Sequence, residues 1–97
     1  MATYVMLCKY TQQGLAKIKE GPARIDLGRK IGRTMGAELK AWYLVMGPYD
    51  IVSIWEAPND EVLAKATLAL GSSGNVTTET LRVFTEDEFR KIVADLP

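Results

Sequence analysis

Tyr49 and Asp50 set a phenol beside a carboxylate. At the start of a strand such a pair could accept a ligand's hydrogen-bond donors or act as an acid or base. The alternative is local: Asp50 accepts turn or helix N–H groups while Tyr49 packs on a sheet, as short carboxylates at turns commonly do. Trp42, Trp55, Tyr4 and Tyr10 could wall a pocket for a planar or hydrophobic molecule, or they could form the core of a subunit contact. Tyr4 leans to core, while both readings stay open for the two tryptophans. Lys9, Lys40, Glu56, Glu79 and Arg82 fall on strand-like segments, where a lone charge is costly unless paired or at an edge. Glu79 and Arg82 have opposite parity, so a regular strand puts them on opposite faces. One of them is expected on an open side of the sheet, to orient an anionic or polar ligand or to close an interface ion pair. The candidate ligand-binding set is therefore Trp42, Tyr49, Asp50, Trp55 and Arg82.

Other chemistries lack their parts. None of the 97 residues is histidine, which disfavours hydrolytic triads, zinc catalysis and histidine-ligated haem. The single cysteine, Cys8, excludes an internal disulfide; in mid-strand it reads as a small buried hydrophobe, with no histidine to activate it. Ser53, Ser72 and Ser73 lack a base for the same reason, although a lysine base is conceivable. The carboxylates show no metal-ligand spacing. Gly71-Ser72-Ser73-Gly74 has the glycine content of an anion nest, but a strand follows it, so neither a Walker loop nor a dinucleotide fingerprint is satisfied. No cofactor and no catalytic residue are expected.

The elements that must position these groups follow from periodicity. Thr3 to Tyr10 is rich in β-branched and aromatic residues and reads as a first strand. Leu15 to Glu20 makes a short helix, and Pro22 in a first turn suits a second from about Ala23 to Met35. Leu27, Ile31 and Met35 form the expected buried stripe of that helix, leaving Arg29, Lys30 and Arg33 to water or a partner. Gly28, Gly32 and Gly36, also four apart, point to close approach of the helix to a sheet, with Gly36 as a left-handed cap. Ala37 to Met46 and Tyr49 to Glu56 read as strands joined at Gly47-Pro48, a pairing that fits a type II′ hairpin. That register sets Met46 opposite Tyr49, Leu44 opposite Ile51, Trp42 opposite Ser53 and Lys40 opposite Trp55. A helix follows Pro58-Asn59, with Val62, Leu63, Ala66 and Leu70 on one face. Asn75 to Phe84 is a fourth strand, and Thr85-Glu86-Asp87-Glu88 is a capping box that opens a last helix with Phe89, Ile92, Val93 and Leu96 on its apolar side.

The order is βαββαβ plus a C-terminal helix, an α+β split βαβ plan around a four-stranded antiparallel sheet. Residues 1–97 are expected to form one domain, with no linker. Two helices cover one face of such a sheet and leave the other bare. The bare face is expected to carry the two tryptophans, a tyrosine and several aliphatics, and such a patch implies a partner, most simply a second copy. Residues 1–50 hold eight Lys/Arg against four Asp/Glu and residues 51–97 the reverse, a dipolar pattern suited to self-association. Nucleic acid is not expected, because the sequence pI is about 6.2 and the basic residues sit on a helix rather than the sheet. No membrane span or signal peptide is expected either, and a reducing cytoplasm is the default.

Gly47-Pro48-Tyr49-Asp50 resembles the G-x-Y-D signature of the GYD-domain family. Thr11-Gln12-Gln13-Gly14 is similar to that family's T-x-x-G after the first strand. Ala57-Pro58-Asn59-Asp60 resembles its A-P-x-D at the second long helix, and Gly74-Asn75-Val76 with Thr78, Thr80, Leu81 and Arg82 resembles its last strand. The resemblance implies a ferredoxin-like fold of the dimeric α+β barrel type, similar in architecture to the ligand-binding domains of Lrp/AsnC regulators, and implies no established reaction. The functional expectation is a homo-oligomeric small-ligand-binding or regulatory module, with its pocket between the aromatic sheet face and a subunit interface. The alternatives are a cofactor-independent monooxygenase or isomerase for an aromatic substrate, with Asp50 or a tyrosine as proton acceptor, and an accessory subunit of a larger complex.

Overall fold

The computed structural model describes residues Met1–Pro97. The chain runs β1 (Ala2–Tyr10), α1 (Gln12–Ala16), a 3-10 turn (Ile18–Glu20), α2 (Gly21–Thr34), β2 (Glu38–Leu44), β3 (Ile51–Ala57), α3 (Asp60–Gly71), β4 (Val76–Val83) and α4 (Glu86–Ala94). The sheet order is β2-β3-β1-β4 with every neighbouring pair antiparallel, the ferredoxin-like α+β arrangement with one added helix. Local chemistry sets the boundaries. Pro22 lies in the first turn of α2, where its missing N–H costs nothing. Gly36 follows that helix at φ +94°, and Ala37 N–H returns to Gly32 O at 2.8 Å. The Asn59 side chain caps α3 through Val62 N–H at 3.0 Å. The capping box of α4 is complete, with Thr85 and Glu88 bonded reciprocally at 2.9 and 3.1 Å, and the Thr85 N–H holds the Glu88 carboxyl below its usual range.

Four expectations are corrected, three of them local. In α2 the sheet-facing side is the glycine side: Gly28 and Gly32 are buried, whereas Leu27 is 56% and Met35 39% exposed. A Cβ on Gly32 would lie 2.5 Å from the Trp55 ring, so that side has no room for the leucine stripe. The second correction is the hairpin. Pairing of β2 with β3 ends at Leu44 opposite Ile51, and the connection is closed by Val45 N–H to Asp50 O rather than by a two-residue turn at Gly47-Pro48. Asp50 N–H is given to Cys8 O on β1, at 2.9 Å, so Asp50 bridges β1 and the end of β2, and Met46 has no partner in the ladder. The third is a bulge at Lys40. Trp42 faces Ser53 as expected, but Leu39, not Lys40, faces Trp55; the extra residue keeps Leu39 on the tryptophan side and turns Lys40 out toward Glu38, 3.9 Å away.

The two faces of the sheet then separate cleanly by register. Tyr4, Met6 and Cys8 of β1 and Ile51, Ser53, Trp55 and Ala57 of β3 are buried, and the hydrophobic ones pack with Leu63 and Ala66 of α3 and with Ala37. The tryptophans therefore lie on the helix-covered face, which overturns their expected place on the bare one. Their side is covered because α2 can approach through its glycines. The uncovered face carries Val5, Leu7, Val52, Ile54, Leu81 and Tyr43 in register. The C-terminal helix α4 has no buried residue and makes at most marginal contact with the other elements; Phe89 is 60% and Leu96 63% exposed.

Candidate functional site

A cavity of about 170 Å³ lies between α2 and the covered sheet face. Its floor is Met6, Cys8, Ile51, Trp42 and Trp55, and its roof includes Ile25, Gly28 and Leu70. Both tryptophans of the chain line it. Trp55 is fixed from below: its indole N–H donates to Ser53 Oγ at 2.9 Å, which explains a buried serine without a nucleophilic role. Cys8 lines the same space and is 5% exposed; burial pushes its thiol up to about 11, so at neutral pH it is a protonated, unreactive group. Tyr10, Arg24, Arg29, Ser73, Asn75 and Thr78 join Ser53 in the polar part of the lining. Burial raises the Tyr10 phenol, and the neighbouring Arg24 opposes that rise.

Tyr49 and Asp50 serve a different place, the junction of three strands. The Asp50 carboxylate accepts the Tyr10 N–H at 2.9 Å, beyond the end of the ladder between β1 and β3. Tyr49 Oη donates to Glu79 of β4 at 2.7 Å, and the Lys9 ammonium stands 5.4 Å from the Tyr49 ring centroid. The hydrogen bond to Glu79 holds the Tyr49 phenol above its ordinary pKa. Neither residue is among those lining the cavity, so the structure does not bring Tyr49 and Asp50 together with Trp42 and Trp55.

A second junction sits beside the first. Thr11 Oγ1 accepts from Gly14 N–H and donates to Gly74 O at 2.7 Å, and Thr11 N–H donates to Asn75 O. Gln13 Nε2 reaches Asn75 Oδ1 at 3.0 Å. Gly14 is required by contact: a Cβ there would lie 2.1 Å from Asn75 O. This clasp ties the end of β1 to the start of β4.

Arg82 lies at the far end of the sheet. Its guanidinium stacks 4.4 Å from the Phe84 ring centroid and 5.6 Å from that of Tyr4. The Tyr4 hydroxyl donates to Asp60 at the start of α3, and burial with that bond raises its pKa. Glu79 and Arg82 do lie on opposite faces, opposite Leu7 and Tyr4 respectively, and it is Glu79 that takes the uncovered side. Arg24 was not foreseen as a lining residue; its one sequence signal was its place two residues after Pro22, one turn before Gly28, on the glycine side of α2.

The motifs Thr11–Gly14, Gly47–Asp50 and Ala57–Asp60 thus each have a structural task in this chain, and a family model, the GYD domain, matches residues 4–93. The chain belongs to the GYD domain family. It is also 37% identical over 82 residues, covering 84% of this chain and 86% of the relative, to the glutamine synthetase and cystathionine beta-lyase binding protein of Thermus thermophilus. In this GYD domain the signature Tyr-Asp pair is the three-strand junction described above. No helix is long and apolar enough to cross a membrane.

Proposed function

We propose that residues 1–97 act as a single homo-oligomeric binding and regulatory module, which presents its uncovered sheet face and α4 to a second copy and binds larger protein partners in that assembled form. The observations that carry this reading are the uncovered sheet face and the exposed apolar side chains on and beside α4. Phe84, Phe89, Ile92, Val93 and Leu96 each leave about half of their surface in water. At roughly 200 Å² per large apolar side chain this is about 100 Å² each and about 500 Å² per copy. That total compares with the apolar surface of the largest patches on monomers, and two copies covering it reciprocally would reach the roughly 1,000 Å² of a specific interface. The relative named as a binding protein of two enzymes supports protein partners for this chain as well.

The cavity supports a second component, a small hydrophobic or aromatic ligand held on the covered face against Trp42 and Trp55. On this reading the ligand sits within one chain rather than at a subunit interface. The catalytic alternative has less behind it, because the carboxylate it needs, Asp50, is spent on the Tyr10 N–H and lies away from the cavity. The protein-docking part is tested by passing purified glutamine synthetase and cystathionine β-lyase of the same organism over the immobilised chain. Saturable retention of either, lost on Ile54→Glu, is expected; retention of neither would remove enzyme docking from the proposal.

A further inference from the structure

We propose that the cavity beneath α2 takes a small aromatic carboxylate, its ring over the sheet floor against Trp42 and Met6 and its carboxylate on Arg24. The inference rests on the reading above that this cavity holds a small molecule, and names what that molecule is. Volume sets the apolar part. A cavity of about 150 Å³ lined by aliphatic and aromatic side chains admits one benzene ring, and this one is about 170 Å³ with Met6, Ile25, Ile51 and Leu70 among its lining. Gly28 keeps the roof thin, since a Cβ there would already stand 3.2 Å from Leu70.

Charge sets the polar part. Arg24 is half-buried and lines the cavity. The other lining cation, Arg29, is paired with Asp26 at 3.4 Å, whereas Arg24 takes part in none of the three ion pairs of the chain. Its Nη2 donates to two carbonyls, Gly14 O at 3.1 Å and Lys17 O, which fix the guanidinium against α1 while leaving Nε and Nη1 as donors. A half-buried cation that is held by neutral carbonyls and lines a mostly apolar cavity suits an anion as its partner. Guanidinium is suited to a carboxylate because its fork presents two parallel donors. Thr78 and Tyr10 lie on the same lining and add hydroxyls at the polar end.

The test uses the intact chain and two probes of one ring size, benzoate and toluene, with tryptophan fluorescence and the thermal midpoint as readouts. Because both tryptophans line the cavity, occupancy by either probe should change the emission saturably. Benzoate is expected to bind about tenfold or more tightly to the wild type than to Arg24→Gln, with toluene binding the two alike. Arg24→Lys, which keeps the charge and loses the fork, should fall between them. Toluene binding to Arg24→Gln also reports that the variant is folded. If toluene saturates but benzoate binds Arg24→Gln as well as the wild type, the carboxylate assignment is wrong and the small-molecule reading survives. If neither probe gives a saturable change, both are wrong.

Discussion

Ile54 and Trp55 are consecutive in β3, yet they live in different surroundings. Trp55 is 3% exposed, with its indole N–H satisfied and α2 lying against its ring through Gly32. Ile54 points the other way, into the row formed with Val5 and Ala41, which no helix of this chain covers. The covered face is thus packed within a single copy apart from its cavity, and none of the chain's buried side-chain polar atoms lacks a partner. The other is apolar without being closed. The difference teaches that core content and surface content cannot be separated by residue type in this fold, because alternate positions of the same strands are almost equally hydrophobic. What separates them is where the glycines of α2 allow a helix to settle.

Substitutions on the two faces should therefore part company, and the largest effect belongs to the covered one. Trp55→Ala removes a ring in contact with a helix and is expected to cost about 3–5 kcal/mol, read as a lower denaturant midpoint at unchanged slope. Gly32→Ala is expected to cost about 1–3 kcal/mol by overpacking, since the added methyl must displace the Trp55 ring; a stabilised variant would show that α2 stands farther from the sheet than described. At the strand junction, Asp50→Ala removes a charged acceptor from Tyr10 N–H and should lower stability by about 1.5–3 kcal/mol. Asp50→Asn, which keeps an acceptor oxygen, should lose less.

Titration provides a smaller contrast on the covered face. Burial raises the Cys8 thiol from 9.0 to about 11, so the unfolded chain ionises first. The folded state keeps its full advantage below about pH 9 and loses it progressively as pH rises through 11. The thermal midpoint should fall over that window, and less steeply in Cys8→Ala. At the acid end the sign reverses for Glu88, whose carboxyl is held below its usual range. Its contribution is present above the ordinary carboxylate pKa and fades as pH falls, which chemical shifts of α4 would follow. The smallest effect on intrinsic stability is expected for Ile92→Ser on α4, within about 0.5 kcal/mol for the isolated copy, although the same change should weaken self-association. A large loss of monomer stability would mean that α4 packs on its own chain.

Much of this arrangement is legible in the sequence because it depends on local chemistry. The Thr85–Glu88 capping box, the left-handed Gly36 and the strand parity of Glu79 and Arg82 all follow from spacing alone, whereas the expected Trp42–Ser53 register holds although the two-residue turn behind it does not form. The glycine spacing of α2 likewise signals close approach to the sheet. What spacing does not carry is which sheet face the helix chooses, and so the tryptophans are expected on the bare side when they lie beneath α2. The wide connection after Leu44 is illegible for a related reason: it depends on Asp50 N–H and carboxylate bonding to β1, a strand forty residues earlier. The cavity cation Arg24 reads as one more charge on a basic helix until the tertiary contact with Gly14 O and Lys17 O fixes it.

The claim on which the rest depends is that the uncovered face and α4 meet a second copy. Light scattering of the purified chain across micromolar concentrations tests it most directly, with Ile54→Glu run alongside and cooperative unfolding checked for both. The expected result is a wild-type mass of at least twice the 10.7 kDa chain, with the variant folded and shifted toward the single-chain mass. A wild type that stays at 10.7 kDa throughout would contradict it.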